Sequence, residues 1–191
     1  IDLSQLRCAT YVNLERAALS IGTLGGGNHF IEVAEGPHLL IHTGSRHLGA
    51  EVAKHYQDAA FAANNDDSSY QLAWIDGKLM DDYIHDIGVL NEYARQNRLA
   101  IADEICSAMR WKIHEDEIED TPHNYIIEED GVFVLRKGAI AARENQRPTI
   151  PMNMRDGSLI CRGKSNADWN CSAPHGAGRL MSRKQAKESI S

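Results

Sequence analysis

The sequence predicts an α+β fold, and three observations carry that expectation. A chain of 191 residues can bury an apolar core of useful size within one domain. Its hydrophobic share of 42% and charged share of 25% are those of a globular chain rather than a disordered one. Its helix-period stretches and its short apolar runs fall in separate blocks instead of alternating.

In chain order, residues Glu15 to Ser20 read as a short helix. Phe30 to Val33 and Leu39 to His42 are apolar runs bounded by Gly and Pro, the pattern of buried strands. Ala50 to Ala63 reads as a helix. A long acidic stretch from about Ser69 to His114 repeats Leu, Ile, Trp and Tyr at helical spacing, with breaks expected near Gly77 and Gly88. Beyond Pro122 the pattern turns to strands at Tyr125 to Ile127, Val132 to Leu135 and Leu159 to Arg162. A last helix is expected to begin near His175. No repeat or low-complexity segment interrupts this order. No apolar run approaches the roughly 20 residues of a membrane-spanning helix, and no secretory leader is apparent. The chain starts at Ile1 without a Met and reads as a processed or trimmed piece of a longer protein.

Cys8, Cys106, Cys161 and Cys171 are scattered and form no CxxC pair, which argues against a disulfide framework or zinc knuckle and for a reducing cytoplasm. The net charge of −7 is unevenly spread. Residues 1–135 hold 9 Lys+Arg against 23 Asp+Glu, whereas residues 136–191 hold 11 against 4. Two solvated faces of opposite sign would give this pattern, and so would a cationic part that meets phosphates.

Polar junctions between the elements hold the chemistry. Gly25-Gly26-Gly27 lets a backbone approach a ligand closely, or simply makes a turn. The run lacks the Gly-Lys-Ser/Thr of a Walker A loop and the spacing of a Rossmann turn. It leads into Asn28-His29-Phe30-Ile31-Glu32, where alternation puts Asn28, Phe30 and Glu32 on one strand face and His29 on the other. His42-Thr43-Gly44-Ser45-Arg46 ends a second apolar run, and Pro122-His123-Asn124-Tyr125 opens a third. Three histidines at strand ends suit either a transition-metal site or ordinary core packing. His38, His47, His55, His85 and His114 require no role. In Ser172-Ala173-Pro174-His175-Gly176-Ala177-Gly178-Arg179 small residues surround a histidine, which as a base, ligand or nucleophile would have open access. Arg179 and Arg183 would lie one helical turn apart, suited to phosphate.

GTLGGGNHFIEV, HTGSR, HNY, RKGA and SAPHGAGRLMSR occur here in the order and rough spacing of the RtcB family of RNA-splicing ligases, which the chain resembles from about Gly22 to about Lys187. The resemblance implies an RtcB-like fold whose β-strands form the active-site floor with helices packed outside, and a single, incomplete catalytic domain over residues 1–191. It implies GTP- and Mn²⁺-dependent joining of RNA 3′-phosphate or 2′,3′-cyclic phosphate ends to 5′-hydroxyl ends, two metals per site, and an accessory activator protein in some settings. By motif position His175 is the histidine that takes the guanylate, and His29, His42 and His123 are the metal ligands. The nucleotide pocket falls on Asn28, His29, Phe30, Ile31, Glu32, His123, Asn124, Pro151, Met152, Asn153, Met154, Ser158, His175, Gly176, Ala177 and Gly178. Arg46, Arg179 and Arg183 fall where the family holds RNA or triphosphate oxygens, and Arg136 and Lys137 support the site without an assigned step.

Two departures stand out. Where the family reads Pro-Gly-Ser-Met-Gly, this chain reads Pro151-Met152-Asn153-Met154-Arg155, as in a divergent subgroup. The family's Asp-x-x-Cys ligands and C-terminal Lys are expected outside residues 1–191, and Cys8 is not in that motif. A non-catalytic RNA-binding paralogue and a metal-dependent phosphoesterase are the rival expectations.

Overall fold

A computed structural model describes residues 1–36, 38–64, 69–178 and 180–189, without the side chains of Arg183 and Lys184. The chain divides into two compact units, Ile1–Asp120 and Thr121–Ser191. Helices and strands are mixed, as the α+β reading requires. Among the described residues no helix is long and apolar enough to cross a membrane.

The first unit is built on helices. Helix α1 (Leu14–Ala18) starts where Asn13 accepts from the Arg16 N–H, a side-chain N-cap that satisfies an otherwise orphaned donor. Strands β1 (Phe30–Ala34) and β2 (His38–His42) form an antiparallel hairpin in which Phe30 faces His42 and Glu32 faces Leu40. Helix α2 runs Arg46–Ala63, beginning earlier than its apolar periodicity indicates. Helix α3 spans Gly77–Met109 as one uninterrupted element. Gly77, at φ +50°, opens this helix, but Gly88 does not break it. A glycine inside a helix costs about 1 kcal/mol, and the flanking residues Ile87, Leu90 and Tyr93, packed in or against the core, outweigh that. Arg110 ends α3 in the left-handed region, with the Trp111 N–H returning to the Cys106 carbonyl at 2.8 Å.

Leu48, Val52 and Tyr56 of α2 pack with Leu90 and Tyr93 of α3 and with Leu6, Cys8 and Ala17 from the N-terminal segment. Inside this core sits one carboxylate, the fully enclosed Asp86. It accepts from the Arg7 N–H at 2.8 Å, the Cys8 N–H at 3.1 Å and the Tyr56 hydroxyl at 2.8 Å, and pairs with His85 Nδ1 at 3.1 Å. Burial pushes its pKa up, but these donors more than offset that and hold it below the usual carboxylate value. The same burial, with Asp86 alongside, pushes the Cys8 thiol up to about 12.

The second unit is built mainly of strands. β3 (Asn124–Glu129) and β4 (Val132–Lys137) form a hairpin. β5 (Ala139–Ala141) pairs with β8 (Ser172–Pro174), and β6 (Thr149–Asn153) with β7 (Gly157–Ile160), all antiparallel. Helix α4 follows at Arg183–Ser189. Sequence periodicity misses β5, β6 and β8, because runs this short carry too little alternation to register. His175 does not open a helix as expected. It follows β8, where Ile140 pairs with Ala173 and Ala139 with Pro174, and the glycines behind it favour turn over helix.

Candidate functional site

In the first unit the glycine run, the end of β2 and the start of α2 are held together by α3. Asn97, wholly buried, exchanges two hydrogen bonds with the Thr23 backbone, each 3.1 Å, and so fixes the entry to Gly25. The Thr43 hydroxyl donates to the Leu24 carbonyl at 2.8 Å. Arg98 donates to the Thr43 carbonyl at 2.9 Å while also pairing with Asp120 at 2.6 Å. Asn97 and Arg98 do not stand out in the sequence, since an Asn or Arg in a polar helical stretch reads as solvated surface, whereas Thr43 belongs to the His42-to-Arg46 junction.

This frame brings His29, Phe30, His42 and Arg46 together. Phe30 stacks on His42 with ring centroids 5.2 Å apart, and His29 lies 6.4 Å from His42. His29 precedes β1 rather than sitting on its opposite face, which lets its ring approach His42. Arg46 adopts φ +55° and packs against Gly25, where its guanidinium fills the space of a side chain. Gly25 itself sits at φ +82°, a left-handed conformation that favours glycine. Arg46 also donates to the Thr23 hydroxyl at 3.2 Å, and its Nη1 lies 3.3 Å from His29 Nδ1. Burial first, and then the Arg46 charge, hold the His29 pKa below the ordinary histidine value. A neutral imidazole is the form that binds metal. Glu32 shares the Phe30 face of the hairpin, while Ile31 points to the other face and is 40% exposed.

In the second unit His123 and His175 meet, their ring centroids 4.5 Å apart. Gly138 is the seat beneath them. Its N–H donates to the His123 carbonyl at 2.8 Å and its carbonyl accepts from the His175 N–H at 3.4 Å. Its φ is +69°, and a Cβ there would stand 3.4 Å from the His175 ring. Asn124 Oδ1 also accepts from Gly138 N–H, at 3.3 Å. The half-buried His175 has its Nδ1 enclosed without a hydrogen-bond partner among the described residues.

The loop after His175 lies along β6, with the Ala177 N–H donating to the Pro151 carbonyl at 3.0 Å. Pro151 in turn faces Ser158 across the hairpin. Gly176 packs against Pro151 as well. Asn153 is engaged within its own turn. Its Oδ1 accepts from the Arg155 and Asp156 N–H groups at 2.9 and 3.0 Å, and its Nδ2 donates to Asp156 at 2.7 Å. Met152 is 38% exposed and Met154 is fully exposed. Gly178 is exposed, Arg179 lies outside the described residues, and so does the Arg183 side chain.

The three expected metal histidines thus divide, His29 with His42 in one unit and His123 beside His175 in the other. Among the described residues no group of three or more His, Cys, Asp or Glu side chains is gathered to hold a metal. Each histidine pair offers imidazole nitrogens of the type that several transition metals accept, and the orphaned Nδ1 of His175 is a further nitrogen of that type.

A family model described as tRNA-splicing ligase RtcB matches residues 4–191. An RNA-splicing ligase RtcB of Escherichia coli is 33% identical over 195 residues, covering 90% of this chain and 48% of that protein. A tRNA-splicing ligase RtcB of Pyrobaculum aerophilum is 29% identical over 222 residues, covering 87% of this chain and 46% of that protein. The chain spans about half the length of the curated relatives it matches. No solved structure matches it. The family match takes in every motif that builds these two histidine pairs, and the chain belongs to the tRNA-splicing ligase RtcB family.

Proposed function

We propose that the protein is an RNA ligase that joins a 3′-phosphate or 2′,3′-cyclic phosphate end to a 5′-hydroxyl end, using GTP and a guanylylated His175. The observation that carries this reading is the seating of the His175 imidazole on Gly138 beside His123, with one ring nitrogen unpartnered. Relatives named as RNA- and tRNA-splicing ligases support it.

In the proposed scheme a ring nitrogen of His175 attacks the α-phosphorus of GTP. An N–P bond forms, and the bond to pyrophosphate breaks with its electron pair leaving on oxygen. A 2′,3′-cyclic end is first opened by water to the 3′-phosphate, and an oxygen of the 3′-phosphate then takes the guanylate as the N–P bond breaks and returns its electron pair to His175. The RNA 5′-hydroxyl finally attacks the activated phosphate, and GMP departs. Splitting the reaction in this way replaces one difficult displacement with easier ones. His29, His42 and His123 would hold Mn²⁺, which when bound neutralises phosphoryl charge. Asn28, Glu32, Pro151, Ser158 and the loop from Gly176 to Gly178 would line the guanylate. Arg46, Arg179 and Arg183 would hold phosphate oxygens. All four cysteines are free, which suits the reducing cytoplasm proposed for it.

The test is incubation of the full-length protein with Mn²⁺ and α-labelled GTP, followed by a denaturing gel and mass analysis. An acid-labile GMP adduct is expected, and His175→Ala abolishes it. Absence of any adduct with every divalent ion tried would sink the ligase reading in favour of an RNA-binding paralogue. Phosphate-ester hydrolysis without an adduct would point to a phosphoesterase.

A further inference from the structure

Arg136 has no step in that scheme, yet among the described residues it is the largest fully buried side chain, at 2% exposure. Its five N–H donors meet five acceptors. Nη1 donates to Glu129 at 2.7 Å and to the Tyr125 hydroxyl at 3.2 Å. Nη2 donates to Glu129 at 3.0 Å and to the Asn170 carbonyl at 3.0 Å, and Nε donates to Ser172 Oγ at 3.0 Å. No N–H is left for a nucleotide or an RNA phosphate.

The two ends of this network converge on His175. On one side Arg136 lies in β4, just before the Gly138 seat. On the other, Asn170 and Ser172 lead into β8, which delivers His175. The turn before β8 is unfavourable in isolation, because Asn170 and Cys171 both sit at φ +48°. Left-handed non-glycine residues persist where surrounding contacts over-determine them. Arg136 supplies two such contacts, at Asn170 and at Ser172.

We infer that Arg136 is a positioning residue for His175. It fixes strand β8 relative to Gly138 through its Asn170 and Ser172 hydrogen bonds, and so sets the imidazole against His123 without touching substrate. The planar five-donor fork explains why this position needs arginine, since a lysine has only three donors on one atom and cannot span the same acceptors. The rate consequence rests on His175 being the nucleophile; the placement itself does not.

The test separates positioning from stability by removing both buried charges. Replacing a buried ion pair with apolar residues of similar volume is often neutral for folding, so Arg136→Met/Glu129→Met in the full-length protein keeps the fold while deleting the links to Asn170 and Ser172. The expected result is GMP-adduct formation slowed roughly 10- to 100-fold per folded molecule, with little change in the KM for GTP. The His175 ring signals of isotope-labelled protein, assigned by their loss in His175→Gln, should move with it. Wild-type rate and unmoved ring signals in the folded double variant would overturn the inference. If that variant fails to fold, Ser172→Ala decides, with a slower adduct and shifted ring signals expected and wild-type values overturning the inference. If the wild-type protein forms no adduct, the ligase reading fails by itself. The ring signals still decide the positioning role: displaced signals sustain it, and unmoved ones overturn it.

Discussion

The two units bury opposite kinds of chemistry. In Ile1–Asp120 the centre is apolar, with Leu48, Val52 and Tyr93 fully enclosed around one satisfied carboxylate. In Thr121–Ser191 the buried apolar side chains among the described residues are Tyr125 and Ile140, beside Pro148, and the centre is the Arg136–Glu129 pair. Arg143 adds a second cation to Glu129 at 2.9 Å. Apolar packing is non-directional and tolerates adjustment, whereas a buried ion network works only when every partner is in place. A unit of short strands gains from such a centre, because Arg136 alone reaches β3, β4 and the approach to β8.

This contrast is testable, and Glu129→Gln should have the largest effect. It leaves Arg136 buried without its counter-charge, so a loss of about 3 to 5 kcal/mol is expected in the second unit. Hydrogen exchange at the Asn124–Lys137 amides would report it, while α2 and α3 amides keep their protection. An equal loss in both units would break the comparison. Leu48→Ala should act in the reverse sense, costing the first unit about 2 to 5 kcal/mol through lost burial and a residual cavity. The same exchange experiment reads it at α2 and α3, and a result under 1 kcal/mol would show that the helical core repacks freely.

The smallest effect concerns acid. Asp86 and Glu129 both have folded-state pKa values below normal, Asp86 through its donors against burial and Glu129 chiefly through Arg136. A depressed carboxyl stabilises the fold above its unfolded pKa, about 3.9 for Asp and 4.3 for Glu. That contribution disappears as pH falls through the folded value. Both units should therefore weaken below about pH 4. Asp86→Asn should flatten the acid loss of the first unit only, followed by exchange or circular dichroism across pH 2.5 to about 5. An unchanged acid profile would show that Asp86 contributes no pH-dependent stability.

Much of the helical unit was legible from sequence. The spacing of Val52, Tyr56 and Ala60, and of Leu90, Tyr93 and Ile101, marks one face on each of two helices, and these residues are buried, whereas Leu48 precedes the helix start that the periodicity indicates. The motifs that carry the two histidine pairs were legible too, because Gly, His and Asn in close succession are uncommon except where a backbone comes close to another group. The supports of the site were not. Asn97 and Arg98 act through contacts with residues far away in sequence, and nothing local separates them from surface polar residues.

Composition, periodicity and the motifs by themselves determined that this chain is an α+β member of a known family, with His29, His42, His123 and His175 in its glycine- and proline-bounded motifs. Those properties are local, written in residue type and short-range spacing. Tertiary structure alone decided that His29 pairs with His42 and His123 with His175, that His175 follows a strand instead of opening a helix, and that Arg136 is interior. Each of these depends on which distant backbone groups and counter-charges surround a side chain. The resemblance puts Arg136 in support of the site, but its interior place is decided only when Glu129, Tyr125, Asn170 and Ser172 are brought around it.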